Sequence, residues 1–411
     1  MKQSRRVIQN YIRDHWDATV QTDGHDGGFA GIQLPYPYTT PCIKGDGTFS
    51  FFFYWDTYFT NLGLIRQGRH DLAESNIRNM MWLIDRYGFM PNHVGLDHRS
   101  QTPYFGLMVA EFLEARKSAD DEVFARAAVE HVRQEYFFWF HARSTPAGLT
   151  RCGNSATGDY HEQFYDDALV GRLSLPPDAS AGEKRAAGNH RVAECEAWDF
   201  TERFDGRALD FAVVEFNANL FAYETFLAGE SSGAEAALWN ERASLRRTRA
   251  DRFLWNEARG LYLDYDVVNG APGRVASATT FQPLFTGLAS QEQAERVAGN
   301  LPLFEREFGL AATEMTPGCR AYQWAYPNMW PPLVRIVAKG LHRYGLTEPA
   351  MRIAGKYVEA CDRLFERTGQ LWEKIDVETG ELAGGEYAAQ PMIGWSAGVY
   401  VALQDILNGN Q

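Results

Sequence analysis

Long apolar runs are missing from this 411-residue chain: no stretch approaches about 18 consecutive apolar residues, which excludes a transmembrane helix. The opening, MKQSRRVIQNYIRDHWDA, has no apolar segment of the kind a secretory signal carries. Its Val7, Ile8, Tyr11 and Ile12 fall instead at the spacing of an amphipathic helix. Cysteine is scarce. Cys42, Cys152, Cys195, Cys319 and Cys361 are odd in number and scattered, without a Cys-x-x-Cys pair or zinc spacing. They read as reduced, buried thiols rather than a disulfide frame or a metal site. Basic residues are outnumbered, 40 against 53 acidic, and the net charge of -13 opposes nucleic acid and anionic lipid. No Gly-x-Ser-x-Gly elbow, glycine-rich phosphate loop or His-Glu-x-x-His motif occurs. These absences leave a cytoplasmic enzyme or binding protein with no metal, no cofactor and no nucleic-acid or membrane partner.

Aromatic residues are abundant, at 14% of the chain with 11 Trp. Some fill a core and the rest suit a cleft lining. After a Gly/Pro-rich stretch at 19–50, helical periodicity dominates over 56–67, 71–87, 103–117, 121–142, 207–228, 232–257, 291–308, 327–344, 347–367 and 393–408. Roughly a dozen helices with no composition break predict one all-α domain of about six helical hairpins with long loops at one end, a count that matches an all-α toroid but that periodicity alone does not distinguish from another large helical fold. The strand-like pieces GLYLDYDV and GQLWEKID are short and suit hairpins between helices. The small polar stretch 176–190 reads as a mobile surface excursion, a candidate lid.

Chemistry concentrates in the loops. FFFYWDTYF (51–59), PNHVGLDHRSQTPY (91–104), ECEAWDFTERFD (194–205), QWAYPNMWPP (323–332) and GGEYAAQPMIGWSAG (384–398) combine Trp with carboxylates, amides or arginine. Sugars present apolar C–H faces and many hydroxyls, so a sugar site uses aromatic platforms beside such polar partners. Trp55, Asp56, Asn92, Arg99, Gln101, Trp198, Asp199, Trp324, Asn328, Glu386 and Trp395 supply those types. Each Trp taken singly suits core packing; their recurrence in Gly/Pro-rich loops favours a cleft. Hydrolysis by two carboxylates fits the parts available, with one acid protonating the leaving oxygen and one carboxylate acting on water or the sugar. Among 53 acidic residues, composition and spacing do not select the pair.

At these segments the chain resembles the trehalases of glycoside hydrolase family 37 and their clan. The resemblance lies in five blocks in the same order: YWDTYFTNLGL with NIRNMMWLIDRYGFMPN, HRSQTP, AWDFTERF, QWAYPNMWPP and GGEYAAQPMIGWSAGV. It implies an (α/α)6 barrel and an inverting α-glycosidase, with Asp199 as general acid and Glu386 as general base. It also implies that Trp55, Asp56, Asn92, Arg99, Gln101, Glu162, Trp198, Gln323, Trp324 and Trp395 hold a small sugar substrate.

The departures concern substrate. Thr48 and Tyr160 stand where the family places arginines, Gln101-Thr102-Pro103 replaces Gln-Pro-Pro, and Gln390-Pro391 replaces Gln-Asp. Thr and Tyr lack a guanidinium's forked donors. Trehalose is therefore expected not to be the best substrate unless another arginine, Arg191, Arg203 or Arg320, restores the charge. The chain is also short for a trehalase and nearer in size to small family 63 relatives. Two alternatives stay open: a glucosylglycerate- or mannosylglycerate-type hydrolase, and a catalytically silent sugar-binding protein on the same barrel.

Overall fold

Every residue from Tyr54 to Leu64 is buried, on all sides of the helix they form. A helix buried all round lies inside the protein, and this one is the first of an inner ring. In the computed structural model, which describes residues 2–22, 32–43, 49–116 and 122–409, the ring comprises α2 (Tyr54–Arg66), α4 (Phe105–Arg116), α9 (Val214–Gly229), α11 (Gln282–Thr286), α13 (Pro331–Arg343) and α15 (Gly394–Leu407). Each packs on the next and α15 returns to α2, closing an (α/α)6 barrel. Outside lie α1 (Lys2–His15), α3 (His70–Tyr87), α5 (Glu122–Ala142), α10 (Gly233–Phe253), α12 (Gln291–Gly299) and α14 (Thr347–Thr368). Their burial is one-sided: α14 buries Ala350, Ile353, Ala354, Tyr357, Val358, Cys361 and Leu364, the i, i+3, i+4 stripe of an amphipathic helix.

The closing seam is tight. A Cβ on Gly63 would sit 2.8 Å from the Cα of Gly398, and one on Gly398 would collide with the Phe59 carbonyl, so α2 and α15 meet backbone to backbone.

The inner helices start at one end, after the long loops 88–104, 195–213, 311–330 and 369–393. The sequence-based boundaries shift where local chemistry overrides periodicity. The helix expected over 291–308 stops at Gly299, just before Asn300-Leu301-Pro302, and the one expected from 207 starts at Val214. The larger correction is 176–190. Most of it is helical, within α8 (Ala181–Glu194), which follows α6 (Gly158–Phe164), a π-helical turn at Tyr165–Leu169 and the short α7 (Val170–Leu173). Ser180 and Glu183 form a reciprocal capping box at its start, a helix-initiating signal that composition hides. Leu261–Tyr262 pairs with Trp255–Asn256 as a local hairpin, while Ile375–Asp376 pairs with the distant Asn328–Met329. That second pairing ties together two loops of the candidate site. Among the described residues no helix is long and apolar enough to cross a membrane, and all five cysteines are free and buried.

Candidate active site

The loop that carries Asp199 is held by buried ion pairs. Glu196 accepts from Arg143 Nη2 at 2.7 Å and Nε at 2.9 Å, and from the backbone N–H groups of Gly153 and Ser100 at 2.7 and 2.9 Å. Glu194 accepts from Arg191 at 2.6 Å and from the Thr201 N–H at 2.9 Å. Arg203 forks onto both Glu215 and Asp264 and lies 4.3 Å over the Trp198 ring. A buried charge persists only when fully paired, and these pairs fix the loop from beneath. Arg191 and Arg203 are thereby spent, and Arg320 is taken by Glu378 at 2.5 Å on an exposed edge. None of the three restores charge to the site.

A cavity of about 230 Å³ opens at the loop-bearing end. Of the residues expected there, Trp55, Asp56, Asn92, Arg99, Gln101, Trp198, Asp199, Gln323, Trp324 and Trp395 line it. Trp324 stacks on Trp330 at 3.8 Å and on Trp198 at 5.3 Å, and Trp395 stands edge-on to Trp324 and Trp330. The amide of Asn92 is spent on the backbone carbonyls of Ser100 and Cys195, and Gln101 accepts from the Trp55 N–H. These two residues order the walls. Three buried polar atoms of the lining, Arg99 Nε, Glu373 Oε2 and Trp395 Nε1, have no hydrogen-bond partner among the described residues. Two donors and an acceptor left open on aromatic walls suit a hydroxylated ligand.

Two expected residues stand elsewhere. Glu162 is outside the lining, ion-paired at 2.9 Å with Arg185 near the surface. Arg185 lies on the α8 turn that the loop reading had denied a helix, so this partner was not foreseen. The Glu386 side chain is fully buried behind the lining: Gln323 N–H donates to its Oε1 at 3.1 Å and Arg172 Nε to its Oε2 at 2.7 Å. Burial raises its carboxyl above the ordinary range, opposed by the Arg172 charge. Arg172 also donates from Nη1 to Asp199 Oδ2 at 3.1 Å and from Nη2 to the Asp199 carbonyl at 2.9 Å. It packs 4.5 Å over the Phe200 ring. Burial opposes its charge, yet Asp199 and Glu386 raise its pKa above the usual value. Sequence reading missed Arg172. It sits in α7, just after the π-helical turn, and belongs to none of the family blocks. Thr48 lies outside the described residues. Tyr160 is present beside Arg99, whose Nη1 donates to its hydroxyl at 3.5 Å.

Exposure orders the cavity. The Asp199 side chain is 41% exposed and Arg172 27%, against 7% for Asp56 on the floor. Burial lifts the Asp56 carboxyl from 3.8 to about 8, with Glu373 and Asp199 adding repulsion. A carboxyl neutral in the folded chain but ionised in the unfolded one costs stability as pH rises between those two values, and a constant amount above them. Asp56→Asn should therefore gain melting temperature over the parent progressively from about pH 4 to about pH 8, by several degrees, and run parallel above that. Thermal melts across this range check it, and a difference independent of pH would refute it.

The family model for trehalase matches residues 1–408. The chain belongs to the trehalase family. A periplasmic trehalase of Pseudomonas aeruginosa is 32% identical over 96% of this chain and 76% of its own, and one of Xanthomonas oryzae is 30% identical over 97% and 74%. In structure, neutral trehalase of Saccharomyces cerevisiae superposes with a TM-score of 0.77 at 24% identity, over 97% of this chain and 80% of that one. The family 63 mannosylglycerate hydrolase of Thermus thermophilus does so at 0.64 and 18%, over 97% and 100%. At those identities the two structures establish the shared barrel alone. Membership makes this chain a glycoside hydrolase. The relatives' names correct the cytoplasmic expectation, since both are periplasmic enzymes. That expectation rested on the lack of an apolar run in the first residues, which did not determine compartment.

Proposed function

We propose that this trehalase-family hydrolase is an inverting α-glycosidase acting on a short α-linked glucoside, with Asp199 as general acid and Glu386 as general base. The supporting observation is that one guanidinium touches both carboxylates. Two hydrogen bonds and the width of Arg172 keep the carboxyl oxygens within about 8 Å, compatible with the ~6.5–9.5 Å that inversion uses to admit a water. The glycone ring packs inward on Trp55, Trp324 and Trp395, with Asp56, Glu373 and Arg99 facing its hydroxyls. The aglycone extends outward past Asp199, whose exposed carboxyl protonates the glycosidic oxygen. Glu386 deprotonates water on the opposite face of the ring.

Arg172 bears on substrate choice. Trehalose was expected not to be the best substrate because arginines are missing at 48 and 160, but Arg172 supplies a guanidinium where acid and base meet. Three of its five N–H groups are engaged and two remain for aglycone oxygens. Trehalose therefore heads a substrate panel that includes other α-glucosides and glycosyl-glycerates. The location proposed is periplasmic, following the relatives. Product analysis by NMR is expected to show a β-anomer released first from an α-glucoside. Release of the α-anomer would refute the inverting assignment, and inertness toward the whole panel would refute the glycosidase.

A further inference from the structure

Gln323 joins the backbone of the Asp199 loop to the Glu386 carboxylate, and each of its polar groups is committed. Its N–H donates to Glu386 Oε1 at 3.1 Å, and its side-chain Nε2 donates to the Asp199 carbonyl. Its own carbonyl accepts from Asn328 Nδ2 at 2.9 Å and Trp330 Nε1 at 3.0 Å. That leaves Oε1, which accepts from Lys374 Nζ at 3.2 Å. Lys374 is fully buried, at 0% exposure. Its neighbour Glu373 is not its hydrogen-bond partner: Nζ and Oε2 are 3.8 Å apart, and Oε2 is unpartnered among the described residues. The ammonium rests 3.6 Å over the Tyr387 ring, and the Tyr387 hydroxyl donates to Glu373 Oε1 at 2.7 Å.

An ammonium only donates, and a backbone carbonyl only accepts. With Lys374 on one side and the Asp199 carbonyl on the other, the Gln323 amide has a single workable orientation. We propose that Lys374 is a positioning residue: by holding Gln323 Oε1 it aims the amide that ties the acid loop to the base, and so sets the placement of Asp199 against Glu386. This rests on the acid and base roles proposed above.

The groups facing the ammonium are Glu373 on its own segment, Glu386 and Tyr387 on the base segment, Asp199 on the acid loop and Arg172 on α7. Burial lowers its pKa to about 8, with Arg172 acting the same way and Glu373, Glu386 and Asp199 opposing. Lys374 is thus charged below about pH 8 and loses its charge as pH rises through it, so the hold on Gln323 weakens on the alkaline side.

The test uses the full-length enzyme with an α-glucosyl fluoride, whose leaving group needs no proton, so that ionisation of the acid does not set the alkaline limb. The wild type should lose turnover near pH 8. Lys374→Arg, which keeps its charge, should move that limb up by at least one pH unit. On a disaccharide, Lys374→Met should lower kcat by about 10–100-fold, within the range positioned acid–base groups contribute, with KM nearly unchanged. Gln323→Glu should cost a comparable factor, and the double variant little more than either single one. A limb that stays in place in Lys374→Arg, or losses that multiply in the double variant, would overturn the proposal. A wild type inert toward both fluoride and disaccharides would overturn the glycosidase reading and, with it, this role.

Discussion

Asp199→Asn is expected to fold like the parent and to lose at least ~10²–10⁴-fold of its turnover on an α-linked disaccharide. Folding should survive because the side chain is 41% exposed and its side-chain bond from Arg172 Nη1 needs only an acceptor oxygen, which an amide also offers. The buried pairs that hold the loop, Arg143 on Glu196 and Arg191 on Glu194, do not involve Asp199. What disappears is the proton delivered to the glycosidic oxygen. The loss should therefore be small on a glycosyl fluoride and large on the disaccharide. Kinetics of both substrates at matched melting temperature decide the matter. Near-parental turnover of the disaccharide would assign the acid to another residue.

Arg172→Met should cost about 10²–10³-fold in kcat/KM, corresponding to ~2.7–4 kcal/mol of transition-state stabilisation. Glu386 would then keep its fully buried carboxylate without the guanidinium that hydrogen-bonds it. Its pKa, already raised by burial and held back by the Arg172 charge, should rise further. The base would stay protonated to higher pH, so the acidic limb of the kcat/KM profile should move upward. Arg172→Lys should recover little, because a single ammonium does not reproduce three hydrogen bonds to two carboxylate residues. An acidic limb that stays in place, with activity within a few-fold of the parent, would show that the bridge is incidental.

How legible these features were depended on where the physical signal lay. The helices announced themselves by apolar periodicity, over 56–67 and 347–367 for example, but which belong to the inner ring showed only in the all-round burial of Tyr54–Leu64 against the one-sided stripe of α14. Cavity-lining residues were legible because Trp beside carboxylate or amide recurs in loops, where packing alone does not call for it. Arg172 was not. Its segment, YDDALVGRL, reads as an ordinary polar helix end, and only the three-dimensional path through the π-helical turn brings it to Asp199 and Glu386. Glu162 misled for the opposite reason: it matched a motif, but its carboxylate found Arg185 across the surface. Helix α8 is hidden in a small, polar composition, and its one local signal is the Ser180–Glu183 capping box. No local pattern showed that Glu386 would be buried at 0% exposure, since its covers, Arg172 and Gln323, come from distant parts of the chain.

The glycine seam between α2 and α15 bears on how the enzyme comes into being. Gly63 and Gly398 join the first and last staves of the ring, separated by nearly the whole chain. Contacts of such sequence separation slow folding and cannot form until both partners have been synthesised. Until residues 394–407 emerge, α2 exposes apolar surface that only α15 covers, and the cavity lacks Trp395. The nascent chain must therefore carry an unfinished, adhesive barrel through most of its synthesis. A truncation that removed this last helix would take away a wall of the pocket and the clasp of the ring together.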